Sequence, residues 1–206
     1  MKNLAEIIFN KHFGWGSITR CTLDPLLKKC FTRLKAGRVL EIGADKKSSY
    51  KKYVSCSEYK TLNIISDYNP DICCDIHDMS IIKSSSFDVV ISIEVLEHCY
   101  NPQRAINEIY RILKPGGICI LSTRFFHPLH PSPHDYYRFT DEGLNYLFTP
   151  FSSVETYSQG NRFHCIWKLF CFKPLCYILY WFNPLLAKIK SKKTDCPLGY
   201  VVYAIK

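Results

Sequence analysis

Four segments decide the fold of this 206-residue chain: RVLEIG at residues 38–43, DIHD at 75–78, FDVVISIEVLEH at 87–98 and LKPGG at 113–117. Two of them begin with apolar runs, which are typical of strands buried on both faces of a sheet. Helical patterns lie between the predicted strands. This alternation predicts parallel strands whose carboxyl ends meet at one edge of a sheet and form a crevice for a ligand.

The spacing of apolar residues predicts the other elements. Residues 1–36 read as one or two helices, because Leu23 and Leu27 begin a series at helical spacing. Pro102 suits the first turn of a helix over 102–113. A weak helix is predicted at 47–56, and a further helix begins at Thr140-Asp141-Glu142. The predicted strands cover residues 38–42, 59–64, 72–74, 88–93, 118–122, 154–157 and 200–205.

Composition favours one globular domain. The chain is 47% hydrophobic and long enough for a full core. Its 11 cysteines form no Cys-x-x-Cys pair and lie mostly in apolar stretches, which indicates reduced, buried thiols instead of disulfides or a zinc site. No apolar run near the first residue is long enough for a signal peptide, so we expect a cytoplasmic protein.

Residues 36–150 and the last predicted strand resemble class I S-adenosylmethionine-dependent methyltransferases of the small, single-domain, type 11-like kind. The LKPGG turn after a helix and VLEH after the fourth strand are the more specific parts of this likeness. The resemblance implies an α/β, Rossmann-like fold: a seven-stranded, mostly parallel sheet with an antiparallel last strand, in a three-layer αβα sandwich. It also implies one domain over 1–206 and methyl transfer from S-adenosyl-L-methionine.

The strand ends carry the expected cofactor contacts. Gly43 lets the backbone approach the cofactor closely, while Glu41 can bind its cationic end. Asn63 stands where the family has an acid that accepts both ribose hydroxyls, so it offers an acceptor without the charge. Asp75 fits the exocyclic amine of adenine. The other predicted contacts are the Ile76 amide and three residues at the mouth of the site: Ile93, Glu94 and His98.

Two positions depart from the family pattern and leave alternatives open. The usual second glycine, two residues after Gly43, is replaced by Asp45. Aspartate tolerates unusual backbone angles, so the turn can form, but its side chain narrows the loop. Together with Asn63, this motivates a second hypothesis, a non-catalytic binding or scaffold protein. Structural roles also remain open, with Glu41 paired to a lysine and Asp75 capping a turn.

The loop HPLHPSPHDYYRFT at 127–140 is the candidate acceptor site. It follows the fifth predicted strand and should lie over the methyl group, and its prolines stiffen it. We predict His130 and His134 as bases that remove the acceptor's proton, with Asp135 as an orienting group or alternative base. The predicted acceptor contacts are His127, Tyr136, Tyr137 and Arg138.

Other interpretations of this loop remain open. Asp135 and Arg138 could form a salt bridge that fixes the loop. The three histidines could ligate zinc, but their crowding among prolines disfavours this, and no metal is predicted. A stretch like DYYRFT recurs in methyltransferases associated with cell-surface glycans. The predicted acceptor is therefore an oxygen, or a nitrogen, of a small molecule or a sugar-containing or lipid-linked precursor.

The net charge of +9 is concentrated near the C terminus. Residues 1–155 hold 19 basic and 17 acidic residues, whereas residues 156–206 hold 8 basic residues and 1 acid. Residues 163–193, the basic tail segment, combine this charge with many aromatic residues. We predict a helical insertion that contacts an anionic membrane surface at the periphery, or alternatively a lid packed on the domain. Nucleic acid, including an RNA acceptor, is a weaker alternative because no RNA-binding module is evident.

Overall fold

The protein is described by a computed structural model that covers residues 18–44, 50–130, 134–169 and 196–206. The predictions about Asp45, about the prolines at 131 and 133, and about most of the basic tail segment lie outside these residues. In the part of the chain that the structure describes, no helix is both long enough and apolar enough to span a membrane.

The described strands form one seven-stranded sheet. They are β1 (Arg38–Ile42), β2 (Glu58–Asn63), β3 (Ile72–Cys73), β4 (Phe87–Ile93), β5 (Leu113–Arg124), β6 (Ser153–Gln159) and β7 (Gly199–Ile205). Their order in the sheet is β3-β2-β1-β4-β5-β7-β6, and β7 runs antiparallel to both of its neighbours while the other pairs are parallel. The predicted fold class is confirmed. The strand order reverses between β1 and β4, which is where such sheets bind ligands.

Four helices lie in the described ranges: α1 (Ile18–Phe31), α2 (Pro102–Ile112), α3 (Asp141–Leu147) and α4 (Arg162–Leu169). Asn101 caps α2, because its side chain accepts a hydrogen bond from the Arg104 amide. The weak helix predicted at 47–56 is wrong in its described part, which contains only the 3-10 turn Lys51–Tyr53. Tyr50 and Val54 alone are buried there, too few apolar side chains for a helical stripe.

The two faces of the sheet bury separate apolar clusters. Val90 of β4 faces a cluster with Ile106 and Ile109 of α2, whereas Ile91 faces a cluster with Leu27 of α1. Because successive strand residues point to opposite faces, one apolar strand fills both layers. This is the αβα sandwich that the sequence predicted, and it leaves the carboxyl ends of β1, β2 and β4 open at one edge.

The fifth strand begins earlier than predicted. β5 starts at Leu113, and its pairing with β4 shifts in register between Phe87 and Val89. Gly116 lies in this irregular stretch with a φ of +73°. The turn expected at the two glycines is thus a bulge within the strand.

Candidate cofactor and acceptor site

The turn after β1 requires a glycine. Gly43 has a φ of +79°, and a Cβ atom there would overlap the Val95 side chain. Its amide donates a hydrogen bond to the Leu62 carbonyl at 2.8 Å, which ties the turn to β2. The β1 backbone is therefore exposed to the crevice without an intervening side chain.

A cavity of about 520 Å³ opens on the α1 side of Gly43. Its walls carry both signs of charge, with the acids Glu41 and Glu94 and the bases Arg20 and Lys52 among the lining residues. Glu41 is only 3% exposed, and its Oε2 accepts a hydrogen bond from the Tyr59 hydroxyl at 2.6 Å. A cavity with this mixture of charges suits a zwitterionic group such as a free amino acid.

Sequence reasoning missed Arg20, whose role depends on how α1 packs. Its Nη1 donates a hydrogen bond to the Tyr50 hydroxyl at 2.6 Å, and its Nη2 pairs with Asp24 at 3.0 Å. Burial is the largest single influence and lowers the pKa of Arg20, but the hydrogen bond that Arg20 donates to Tyr50 and the nearby negative charges together outweigh it and raise the pKa above its usual value. The helical spacing in the sequence revealed that α1 is a helix but not which residue its exposed face brings to the cavity.

A second cavity, of about 530 Å³, lies on the other side of Gly43. The two cavities share three wall residues: Ile42, Gly43 and Glu94. Apolar side chains, including Leu62 and Val95, line much of the second cavity. Together the two cavities contact every cofactor residue predicted from the sequence: Glu41, Gly43, Asn63, Asp75, Ile76, Ile93, Glu94 and His98.

Asp75 is held by His77, which the sequence analysis did not single out. Asp75 Oδ1 accepts hydrogen bonds from the His77 amide at 2.8 Å and from His77 Nδ1 at 2.6 Å. The other ring nitrogen, Nε2, accepts from the Asn101 amide at 3.3 Å, which places the ring proton on Nδ1. The turn-capping alternative for Asp75 is thus observed, and it leaves Oδ2 available to a ligand.

Asn63 makes contacts that an acid at this position would lack. Its Nδ2 donates to the Ala44 carbonyl at 3.0 Å, and its Oδ1 accepts from the Ile65 amide at 3.0 Å. A carboxylate could make the second bond but has no proton for the first. The Asn63 side chain therefore links the turn after β1 to the turn after β2. This is a structural reason for asparagine at the position where the family has an acid.

A buried charge cluster stands at the end of β4. Glu94 has a φ of +59°, an uncommon value for a residue other than glycine, and its carboxylate is ion-paired with Arg124 and accepts from the Ser122 hydroxyl. Glu97 is fully buried and accepts from the Thr123 hydroxyl at 2.9 Å. Burial, reinforced by the negative charge of Glu94, raises the pKa of Glu97 to about 7.

The loop after β5 closes over this cluster. The Tyr136 amide donates to the Glu97 carbonyl at 2.9 Å, and His98 Nδ1 is hydrogen-bonded to the His134 carbonyl. His134 and Tyr136 consequently line the second cavity together with His98. Of the loop histidines His127, His130 and His134, His134 is the one that lines this cavity.

The salt bridge considered as an alternative for this loop is present. Arg138 Nη2 lies 2.6 Å from Asp135 Oδ2, and the guanidinium also donates to the His127 carbonyl at 3.3 Å. The Arg138 guanidinium holds the pKa of Asp135 far below its usual range. With this pairing Asp135 is a poor proton acceptor and Arg138 is occupied within the loop, which argues against Asp135 as a base and Arg138 as an acceptor contact. Asp135 also accepts from the His130 amide at 3.0 Å, so its orienting role fits.

Comparison with known proteins gives several matches to methyltransferases. Residues 43–121 match the methyltransferase domain family. A 40-residue stretch is 42% identical to a ubiquinone biosynthesis O-methyltransferase of Psychrobacter cryohalolentis, over 19% of this chain and 16% of that protein. A 42-residue stretch is 36% identical to a probable S-adenosylmethionine-dependent methyltransferase of Mycolicibacterium smegmatis, over 20% and 16%. The matched stretches thus span about a sixth of each curated relative.

The fold has close structural counterparts. A SAM-dependent methyltransferase from Archaeoglobus fulgidus superposes with a TM-score of 0.58 at 13% identity, over 99% of this chain and 100% of the other. At that identity the likeness concerns the fold. Strand order and the glycine turn after β1 agree with that fold, and residues 43–121 carry the match to the methyltransferase domain family.

Proposed function

We propose that this chain transfers the methyl group of S-adenosyl-L-methionine to an oxygen, or a nitrogen, of a small-molecule or sugar-containing acceptor. The pair of cavities that meet at Gly43 and Glu94 carries this proposal. S-adenosylmethionine has a zwitterionic amino-acid end, a cationic sulfonium and a largely flat adenosine end. The charged cavity, the shared acidic wall and the apolar cavity match these three parts in order.

Each half of the site has residues suited to its part of the cofactor. Arg20 and Lys52 can attract the carboxylate of the methionine end, and Glu41 can attract its ammonium group. Asp75 Oδ2 can accept from the adenine amine, since Asp75 Oδ1 is held by His77. Asn63 Oδ1 keeps one lone pair for a ribose hydroxyl beside its bond from Ile65.

The acceptor side supplies a base. As the acceptor's oxygen or nitrogen forms a bond to the methyl carbon, the carbon–sulfur bond breaks and its electron pair stays on sulfur. The acceptor must then lose one proton. His134 borders the second cavity and carries an exposed ring, so it can take this proton, and His130, four residues earlier in the loop, is the second candidate. Correct alignment of the three reacting atoms supplies much of the rate.

Oxygen is our first choice of acceptor atom. The Psychrobacter relative is named an O-methyltransferase, which supports this choice over the short stretch that aligns. The contact of the basic tail segment with anionic lipids and the cytoplasmic location remain predictions. Flotation with anionic vesicles tests the first: a protein that stays in the dense fraction contradicts the membrane contact.

The cofactor half is tested by calorimetric titration with S-adenosylhomocysteine. We expect one binding site per chain, and an affinity reduced about tenfold or more in Glu41→Gln, because that buried carboxylate faces the ligand. Asp67→Asn is the matched control: it removes the same charge on a neighbouring turn but lines neither cavity. A flat trace for the unmodified protein would favour the non-catalytic scaffold instead.

The acceptor half is tested with methyl-labelled S-adenosylmethionine and panels of hydroxylated and amine-bearing compounds. Once an acceptor is found, His134→Ala should lower turnover about tenfold or more while S-adenosylhomocysteine affinity is retained. His130→Ala tests the second candidate base in the same way. Unchanged turnover in both variants would refute the assignment of a histidine base in this loop.

A further inference from the structure

Three ligand-type side chains converge beneath the acceptor loop. Glu97, His98 and His130 each place one potential metal-binding atom within 4.8 Å of those of the other two. Glu97 and His98 come from the turn after β4, whereas His130 comes from the loop after β5. The rings of His98 and His130 meet edge to face, with centroids 4.9 Å apart. This set differs from the three loop histidines considered from the sequence.

Both imidazoles are oriented in the way that metal-binding histidines usually are. His98 Nδ1 is hydrogen-bonded to the His134 carbonyl, and His130 Nδ1 lies 3.3 Å from Asp135 Oδ2. His130 Nδ1 also lies 3.3 Å from the Pro128 carbonyl, and a carbonyl can only accept, so Nδ1 carries the proton in each ring. This leaves the Nε2 lone pairs free. A carbonyl or carboxylate on the second ring nitrogen is the usual outer partner of a metal-bound histidine.

Glu97 adds an oxygen without a hydrogen bond. The residue is fully buried, and its Oε1 has no hydrogen-bond partner, whereas Oε2 is satisfied by Thr123. The nearest cation to Oε1 is Arg124 Nε, 3.9 Å away and closer to Glu94. With Glu97 ionised, these three side chains carry a net charge of −1. A buried carboxylate oxygen without a partner is costly, and a bound cation would relieve that cost.

We propose that Glu97, His98 and His130 bind one divalent transition-metal cation. Two imidazole nitrogens and one carboxylate oxygen suit Zn²⁺, Mn²⁺ or Co²⁺ better than the all-oxygen preference of Mg²⁺ or Ca²⁺. With zinc bonds of ~2.0–2.1 Å, ligand atoms of a tetrahedral site lie roughly 3.4 Å apart, so the set must contract modestly. The two half-buried rings allow this contraction, and three protein ligands leave a coordination position for a further group.

The cation would act on the acceptor. His98 lines the second cavity, so the open coordination position faces the place predicted for the acceptor. A hydroxyl bound to a divalent cation loses its proton far more readily than a free one. The hydroxyl proton then passes to His134 or to solvent, the oxygen bonds to the methyl carbon, and the departing sulfur keeps the electron pair. This role rests on the proposed methyl transfer and narrows the acceptor class to hydroxyl compounds; cation binding itself does not depend on that transfer.

Cation binding is tested on the chelator-treated full chain without any cofactor. Cobalt chloride serves as the probe, because Co²⁺ with nitrogen ligands gives visible absorption bands, and calorimetry with zinc chloride gives the affinity. We expect His98→Ala and His130→Ala each to weaken binding about tenfold or more. His127→Ala is the matched control: it removes a ring that packs on His130 at 4.7 Å but lies outside the ligand set, so affinity should hold.

Two outcomes would overturn the proposal. One is that the unmodified protein gives no visible absorption bands with Co²⁺ and no heat of binding with Zn²⁺. The other is a His98→Ala/His130→Ala double variant that binds with unchanged affinity and stoichiometry, which would assign the binding to other groups such as the cysteines. Circular dichroism on the same variants confirms that they are folded. His130 lines neither cavity, so His130→Ala should lose cation binding and retain S-adenosylhomocysteine binding, which distinguishes failure of the cation site from failure of the proposed methyl transfer.

Discussion

At the scale of single residues, the site depends on backbone angles and neighbouring carbonyls. Gly43 and Gly116 both have positive φ angles, +79° and +73°, but their surroundings differ. A Cβ atom at Gly43 would overlap Val95, whereas at Gly116 it would meet no atom within 4 Å. Alanine substitutions at the two glycines therefore distinguish the strain of a left-handed backbone from the effect of a side chain that blocks the crevice.

Gly43→Ala should therefore weaken cofactor binding by more than the strain of the left-handed backbone alone would. We expect S-adenosylhomocysteine affinity to fall more than about tenfold, because either Val95 or the turn must move into the crevice. Gly116→Ala should cost about 1 kcal/mol of stability and leave the affinity unchanged. Calorimetry and urea unfolding measure the two effects, and equal affinities in the two variants would contradict the role given to Gly43.

Asn63 gives a second prediction at this scale. Asn63→Asp should lower the free energy of unfolding by about 1–3 kcal/mol near neutral pH, because a carboxylate would face the Ala44 carbonyl without a proton to donate. Asn63→Ser is the comparison, since a hydroxyl can still donate. Urea unfolding without ligand measures this cost. If the aspartate variant is as stable as the natural protein, the Asn63–Ala44 bond is not the reason for the amide.

At the scale of elements, α1 is tied to the far edge of the sheet by charge. Arg33, just after α1, pairs with Glu155 of β6 at 2.6 Å and lies over the Tyr203 ring of β7 at 3.7 Å. The hydrogen bond from Arg33, with a second from Tyr157, lowers the pKa of Glu155 to about 2. The Arg33–Glu155 ion pair links the end of α1, the helix that carries Arg20, to β6, which is the edge strand opposite β3.

This pair predicts a pH dependence. The Glu155 pKa is depressed, so its contribution to stability is present above the ordinary value of 4.5 and is lost as pH falls from there toward about 2. Glu155→Gln should be less stable than the natural protein at pH 7. Urea unfolding should show the difference in stability between the variant and the natural protein shrinking as the pH falls from 4.5 toward about 2. Arg33→Gln should show the same narrowing, and a gap that stays constant with pH would contradict the assignment.

At the scale of the whole molecule, a ligand that fills both cavities would contact α1, β1, β2 and β4 together. Residues from Arg20 to Tyr136 line these cavities, so the bound state links parts of the chain that are distant in sequence. A ligand that binds only the folded protein stabilises it by mass action.

S-adenosylhomocysteine at about 100 times its dissociation constant should add about 2.7 kcal/mol, which corresponds to a rise in melting temperature of roughly 5–10 °C for a chain of this size. A thermal denaturation scan with and without the ligand measures the rise. Gly43→Ala should show little of it. No rise in the natural protein at that excess would contradict binding across both cavities.

The sequence predicted most of the fold because strand and helix patterns are local. The buried run before Glu94 and the helix that begins at Pro102 were read directly from the sequence, and both are found. Boundaries moved by a residue or two, except in β5, whose bulge depends on pairing with β4. The predicted helix at 47–56 failed where it is described, because its weak pattern lacked an apolar stripe.

The sequence by itself determined the order of strands and helices and which residues stand at the strand ends, since both follow from spacing along the chain. Only the tertiary structure decided that Arg20 reaches the cavity, that Asn63 donates to Ala44, and that Arg138 forms an ion pair with Asp135. It also decided the convergence of Glu97, His98 and His130. These contacts join segments far apart in the chain, and their geometry depends on sheet order and loop closure, which no local pattern encodes.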